Sequence, residues 1–331
     1  MTNQNLRYLI GVDIGGTFTD CVVIDSTGKT SLGKVSSTPP NFNEGFIGSM
    51  AETASSIGIP LEELNSRADG IYHGCTVGTN ALIEDRTARV GLLTTAGHKD
   101  SFFIMQGGAR LIGLEPRQVA HVAAQSKQDP LVPKQLVEEI DERVAFDGKV
   151  VIELNEERCR ESIQRLLDAG VEAFAISFMW SIVNPEHERA VARIIREMAP
   201  DAFVSVSSDV VSRQGEYQRT VATVINALIG PVTTEYLRKL EDELASLGYK
   251  GKLFIMSCTG GLIDSSQARA LPLLSIGSGP VAGLIGAGNL AHASGSTGKD
   301  KGNGADILTA DMGGTTFDVG VIRHGQPVSR F

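Results

Sequence analysis

The chain predicts an α/β fold, and three observations carry that reading. From about residue 155 onward, short apolar runs alternate with stretches of helical spacing. An acidic-glycine octapeptide occurs twice, as Asp13-Ile-Gly-Gly-Thr-Phe-Thr-Asp20 and as Asp311-Met-Gly-Gly-Thr-Thr-Phe-Asp318. Each copy follows an apolar run, Tyr8 to Val12 and Ile307 to Ala310, so each leading aspartate sits where a buried strand gives way to a turn.

The elements follow in order. Residues 7–13 read as a strand, Cys21 to Asp25 as a second, and the Ser-Thr-Gly turn at 26–28 leads into a third through Val35. This is an antiparallel meander. A Walker loop would need Gly-x-x-x-x-Gly-Lys-Ser/Thr opening a helix, and no such string occurs. After Pro39-Pro40, the apolar residues Phe46, Ile47, Met50 and Ala54 predict a helix over 43–57 that stops at Gly58. Ile71 to Cys75 reads as a strand, Val77 to Asp85 as a helix, Arg89 to Thr95 as a strand, and 133–146 as a helix followed by an acidic segment. Helices at 156–169 and 185–198, ended by Gly170 and Pro200, then alternate with strands Ala173 to Phe178 and Phe203 to Ser207. Residues 215–247 form the longest helical stretch, which Gly230-Pro231 is expected to kink or break. A strand over Lys252 to Met256, a turn over Ser257 to Gly261, and a small-residue helix from Pro280 to about 293 lead to the second acidic-glycine turn. A last hairpin is expected around His324-Gly325.

Composition narrows the function classes. The 331 residues are 42% hydrophobic and 21% charged, which suits a cored protein with room for two domains. A formal net charge of −9 without a basic stripe argues against nucleic acid as partner. No run approaches the roughly 18 apolar residues of a membrane helix, and the first residues lack an apolar signal core, so a cytoplasmic protein is expected, with no membrane partner. The four cysteines form no Cys-x-x-Cys pair and the six histidines no ligand spacing, so zinc and redox chemistry have no support.

The two turns carry the chemistry. Asp13 and Asp311 are the candidate carboxylates for a hydrated Mg²⁺ (or Mn²⁺), held partly through water. Gly15, Gly16, Gly313 and Gly314 let backbone N–H groups and phosphate oxygens approach each other, and Thr17, Thr19, Thr315 and Thr316 add hydroxyls. One of the carboxylates could instead orient the attacking group, because phosphoryl transfer is mostly positioning and charge stabilisation. Asp20 and Asp318 close the motifs on the outgoing strands, where hydrogen bonding to the turn is an equal alternative to a ligand role. ATP with Mg²⁺ is the expected cofactor pair.

The chain resembles the hydantoinase A/5-oxoprolinase family within the actin, sugar-kinase and Hsp70 ATPase superfamily. The resemblance rests on Gly11-Val-Asp-Ile-Gly-Gly-Thr-Phe-Thr-Asp20, His73-Gly-Cys-Thr-Val-Gly-Thr-Asn-Ala-Leu82, Asn184-Pro-Glu-His-Glu188, Glu216-Tyr-Gln-Arg-Thr220, Ser278-Gly-Pro-Val-Ala-Gly283 and Asp311-Met-Gly-Gly-Thr315, in family order. It departs from the family pattern at Cys75, at Ser257-Cys-Thr-Gly-Gly261 and at Thr316-Phe317. Cys75 is read as a Thr-sized buried side chain.

The resemblance implies an actin-like (ribonuclease H-like) ATPase fold, incomplete at the C-terminus. It assigns residues 1–210 to an N-terminal region with the first phosphate loop and 211–331 to the start of a core region with the second, lacking the adenosine-binding part. It implies phosphorylation of a carbonyl oxygen of a cyclic amide, for ATP-dependent ring opening, with a complementary C-terminal chain and a B-type subunit as partners. An ATP-dependent ketone carboxylase subunit is the alternative within enzymes, and a truncated noncatalytic partner is the alternative of another class. His73, Thr76, Thr79, Asn80 and Arg110 are the substrate-side candidates, Thr79 and Asn80 being equally explained as helix caps. Arg219 reads either as a group facing ligand charge or as an ion pair of the long helix.

Overall fold

The computed structural model describes residues 6–105, 111, 114–121, 129–294, 306–312, 317–324 and 326–328. The chain divides into two compact units, Met1–Asp85 with Val232–Phe331, and Arg86–Pro231.

The first unit begins as the sequence predicts. β1 (Tyr8–Ile14), β2 (Phe18–Asp25) and β3 (Thr30–Ser36) form an antiparallel meander. Helices α1 (Phe42–Ser56) and α2 (Leu61–Ser66) return the chain so that β4 (Ala68–Gly74) pairs parallel with β1, and α3 (Val77–Ile83) follows.

The second unit is built around β5 (Val90–Thr95), which is buried at every position. It continues through α4 (Lys99–Ile104), α5 (Pro116–Val119), β6 (Val137–Ile140), β7 (Arg143–Val144), β8 (Val150–Ile152), α6 (Glu156–Asp168), β9 (Ala173–Ser177), α7 (Glu186–Met198), β10 (Phe203–Val206) and α8 (Ser207–Val210). Its main sheet runs β10-β9-β5-β6, all parallel. Continuous apolar runs such as Ala173 to Ile176 are what a parallel strand covered on both faces requires. The helix expected within 133–146 is replaced by a 3-10 turn at Lys134–Leu136 and the strand β6. Four residues are too few to show alternation, and Val137 and Ile140 are buried beside Leu92 and Thr95 of β5.

Helix α9 (Glu216–Ser246) runs through Pro231 as one element, so of the expected kink or break the break does not occur. A Cβ on Gly230 would lie only 2.4–2.6 Å from three ring atoms of Phe203. The glycine therefore serves close packing, and packing holds the helix together despite the backbone hydrogen bond lost at proline.

The first unit is completed by β11 (Leu253–Met256), β12 (Leu262–Asp264), α10 (Ser265–Ala270), α11 (Ser278–Ala293), β13 (Ile307–Met312), β14 (Phe317–Arg323) and β15 (Gln326–Pro327). Its larger sheet has the order β12-β11-β4-β1-β2-β3, with β13-β14-β15 separate. Strand β1 sets the two faces. Tyr8, Ile10, Val12 and Ile14 point into a core with Phe46 and Met50 of α1 and Leu237, Leu240 and Leu244 of α9, while Leu9, Gly11 and Asp13 take the other face.

Helix α1 lies so close to β3 that a Cβ on Gly33 would collide with Thr53 Oγ1 and the Ser49 carbonyl, whereas one on Gly48 meets only Val35 at 3.9 Å. Gly33→Ala is therefore expected to destabilise by about 1–3 kcal/mol, and Gly48→Ala to stabilise by roughly 0.5–1 kcal/mol through helix propensity. Urea midpoints check both; equal shifts would show that the contact is not limiting.

Candidate functional site

Strand register places the motif residues. Asp13 pairs with Asp20 across β1 and β2, and Asp311 with Asp318 across β13 and β14. Directly paired residues project from the same face of a sheet, so each hairpin presents two carboxylates side by side. All four line one cleft of about 610 Å³ in the first unit, a size typical of small-molecule sites.

The other walls come from elements far away in sequence. In the β1–β4 register Gly74 lies opposite Asp13, and a Cβ at 74 would come within 2.3 Å of Asp13 Oδ1, inside contact distance. Glycine is thus required there for the carboxylate to keep its place. Thr76, Thr79 and Asn80 contribute from α3 and the residue before it, and Gly277, Gly279, Pro280, Ala282 and Gly283 from the start of α11. Gly277 adopts φ +69° and leaves α11 without a side-chain cap. Next to it, the Ser278 hydroxyl is buried with no hydrogen-bond partner among the described residues. An uncapped helix start offers N–H groups and positive potential to an anion, opposite carboxylates that suit a hydrated cation.

The polar groups of the wall are largely tied to one another. Thr76 Oγ1 donates to the Ile14 carbonyl at 2.6 Å, and Thr79 Oγ1 accepts from the Gly277 amide at 3.4 Å. Asn80 Nδ2 donates to Thr76 Oγ1 at 3.5 Å. These residues do line the cleft, while their bonds hold α3 against β1 and α11.

Several expectations are corrected. Thr19 pairs with Ile14 on the core face, one residue out of phase with Asp20; it is fully buried and its hydroxyl lies 3.0 Å from Ser37 Oγ, so it offers nothing to a phosphate. The Gly15 amide closes the hairpin by donating to the Phe18 carbonyl at 2.9 Å, and is not free for an anion. Thr17 is exposed in the turn, with its carbonyl accepting from the Ser37 amide. Asp20 does not bond to its turn but pairs with Lys34 of β3, whose Nζ lies 2.7 and 3.0 Å from the two carboxylate oxygens.

The His73 side chain is not presented to substrate. Its ring is buried, with Nδ1 3.1 Å from the Val12 carbonyl and Nε2 2.9 Å from the Tyr236 hydroxyl. A carbonyl only accepts, so Nδ1 carries the proton and Nε2 accepts from Tyr236. Burial, partly offset by the Val12 bond, pushes this imidazole down to about 4 and keeps it neutral. It stacks edge-on against Phe46 and joins β4, β1, α1 and α9 behind the cleft. Arg110, Gly313, Gly314, Thr315 and Thr316 lie outside the described residues. Cys75 is buried and its thiol pushed up to about 12, chiefly by burial, which leaves it unreactive as expected.

Asp13 is the perturbed acid of the cleft. Its side chain is open to the cleft on one side and crowded by protein on the others, and this partial loss of hydration, then the charges of Asp20 and Asp311, raise it to about 6. Gly74, Gly277, Ser278 and Gly279 were not among the sequence candidates. Single glycines carry no periodic signal, and only the family segments that contain Gly74, Ser278 and Gly279 could have pointed to the cleft.

With this geometry in hand, the comparisons are decisive. The family described as hydantoinase/oxoprolinase N-terminal region matches residues 9–199, and hydantoinase/oxoprolinase matches residues 219–331. The chain belongs to the hydantoinase/oxoprolinase family. Among members, it is 34% identical over 327 residues to the acetophenone carboxylase gamma subunit of Aromatoleum aromaticum, covering 97% of this chain and 43% of that one. It is 33% identical to the caprolactamase subunit alpha of Pseudomonas jessenii, covering 97% and 44% respectively. Two solved structures share the fold. Nucleotide-free acetone carboxylase superposes with a TM-score of 0.87 at 28% identity over 97% of this chain and 44% of that one, and the ATP-dependent caprolactamase of P. jessenii with 0.79 at 32% over 95% and 43%. The chain thus spans less than half the length of these relatives.

The raised Asp13 gives a pH signature of defined sign. Its folded value lies above the unfolded one, so between about pH 4 and 6 the folded state holds more protons and stability falls as pH rises. Asp13→Asn should therefore raise the ligand-free melting temperature at pH 7.5, with the gain shrinking toward zero near pH 4. Equal shifts at both pH values in calorimetry would show that Asp13 does not titrate in this window.

Proposed function

We propose that this chain is the ATP-binding, substrate-phosphorylating part of a hydantoinase/oxoprolinase-type enzyme that activates the carbonyl of a cyclic amide for ring opening. The observation that carries the reading is the pair of register-matched aspartate hairpins, Asp13/Asp20 and Asp311/Asp318, lining one cleft with the uncapped start of α11.

The residues fit a magnesium nucleotide. Among the described residues no group of three or more metal-binding side chains forms a protein cage. Magnesium is commonly held by one or two carboxylates while keeping waters and sharing phosphate oxygens. Asp13 and Asp311 would hold the hydrated cation, and the Gly16-Thr17 stretch together with Gly313, Gly314, Thr315 and Thr316 would face the phosphates. The first turn of α11 would take up negative charge, and Lys34 would neutralise Asp20. Mg-ATP, when bound, supplies the transferable phosphoryl group. Asp13 and Asp311 would position the reacting groups, and the bonds of Thr76, Thr79 and Asn80 keep the substrate-side wall rigid. Phosphorylating a carbonyl oxygen turns it into a leaving group and makes its carbon open to attack.

A second reading is favoured by the 34% identity to a carboxylase subunit: the same cleft would phosphorylate a ketone oxygen in its enol form. Relatives named as alpha, beta and gamma subunits support assembly with partner subunits, of which a B-type subunit is the one this reading expects. A cytoplasmic place is supported by four unpaired cysteines and by the absence, among the described residues, of any helix long and apolar enough to cross a membrane.

The test is ATP turnover by the chain assembled with its complementary portion and B-type subunit. Asp13→Ala and Asp311→Ala should each lower it roughly 100-fold or more, and wild-type turnover in either would remove the site assignment. Stimulation by a cyclic amide without bicarbonate supports the amidohydrolase, whereas stimulation by a ketone, with product formation only when bicarbonate is present, supports the carboxylase.

A further inference from the structure

The second unit holds a site that the nucleotide cleft does not use. A cavity of about 30 Å³ lies at the carboxy ends of β5 and β9, lined by Thr94, Ser177 and Phe178 from the strand side and by Tyr217, Arg219 and Thr220 from the first turns of α9. It has room for about two water-sized groups. The carboxy edge of a parallel sheet facing the start of a 31-residue helix offers positive potential, opposed by Glu216, which also lines the cavity.

Arg219 makes this more than a packing gap. The side chain is 1% exposed, yet its only hydrogen bond among the described residues runs from Nη2 to the Phe178 carbonyl at 2.5 Å. Its Nε is buried without a partner, and Glu188 and Glu216 act on the guanidinium by charge without hydrogen-bonding to it. Glu188, its main electrostatic neighbour, is committed elsewhere: it accepts from the Phe178 amide at 2.9 Å, from Ser207 Oγ at 2.5 Å and from the Ser208 amide at 3.0 Å. Glu216, the other neighbour, stands at the cavity wall. A buried guanidinium with unused donors is costly unless an acceptor completes it. Ser177 Oγ and Thr220 Oγ1 lie 2.7 Å apart. That contact uses one of their two protons and leaves the other to donate.

We propose that this cavity binds a small planar oxyanion of the carboxylate type, held by the terminal nitrogens of Arg219 and by the Ser177–Thr220 hydroxyl pair. A guanidinium edge matches such an anion in shape and charge. The ligand is either a free monocarboxylate or bicarbonate, which share this chemistry.

The experiment titrates the full chain, labelled with ¹⁵N-arginine, with sodium formate, acetate and bicarbonate at constant ionic strength set by chloride. Arg219→Lys assigns the Nε resonance. A saturable shift of that resonance with formate or acetate supports the proposal and identifies a free carboxylate, and one with bicarbonate alone supports it and identifies inorganic carbon. Ser177→Ala should then raise the apparent Kd about five- to tenfold. No shift with any of the three up to about 50 mM, or a non-saturating shift that chloride reproduces, overturns the proposal and leaves the cavity to water.

Discussion

Asp13 and Asp20 face each other across β1 and β2 in a pairing that the sheet register imposes and that their charges oppose. Like charges at directly opposed positions destabilise a sheet, and Asp311 with Asp318 repeats the arrangement on the second hairpin. The structure around the cleft is organised to tolerate this. Lys34 lies in register with Asp20 and neutralises it from the neighbouring strand, while Gly74 leaves room for the Asp13 carboxyl where a side chain would have been. What remains is a cleft short of positive charge on the aspartate side, an arrangement that a bound cation would relieve.

The rear of the site explains why this strained front stays in place. His73 precedes Gly74 and points to the opposite face of β4, where it hydrogen-bonds to the Val12 carbonyl and to Tyr236 and packs on Phe46. Strand alternation therefore gives two consecutive residues two tasks: 73 anchors the sheet to its helices, and 74 yields space to the aspartate. The neutral, fully bonded imidazole adds rigidity without adding charge.

Much of this was legible in the sequence because it was local. The duplicated aspartate turns, the meander and the α/β rhythm after residue 155 all lie within short windows, where spacing and turn chemistry act directly. The face taken by Thr19 was not legible, because it depends on counting register from Asp13 through a turn of unknown geometry. Residues 133–146 misled because β6 is too short to show alternation and is fixed by β5, over forty residues earlier. Gly230-Pro231 read as punctuation, whereas its glycine answers to the ring of Phe203. Arg219 could be read either way, and only the positions of Glu188 and Phe178 show its donors to be incompletely used.

The path of the chain through its two units has a consequence for biosynthesis. The first unit is left at Asp85 and rejoined at Val232, and β4 pairs with β11, residues 71–73 beside residues 253–255. A growing chain that has produced the first aspartate hairpin must still make the whole intervening unit before the edge of β4 is covered and the wall supplied by α11 exists. The parallel β10-β9-β5-β6 sheet lies within one continuous stretch and can form while that edge waits. The aspartate cleft is thus among the last features to be assembled, and a nascent chain cannot bind ligand there before its second half has emerged.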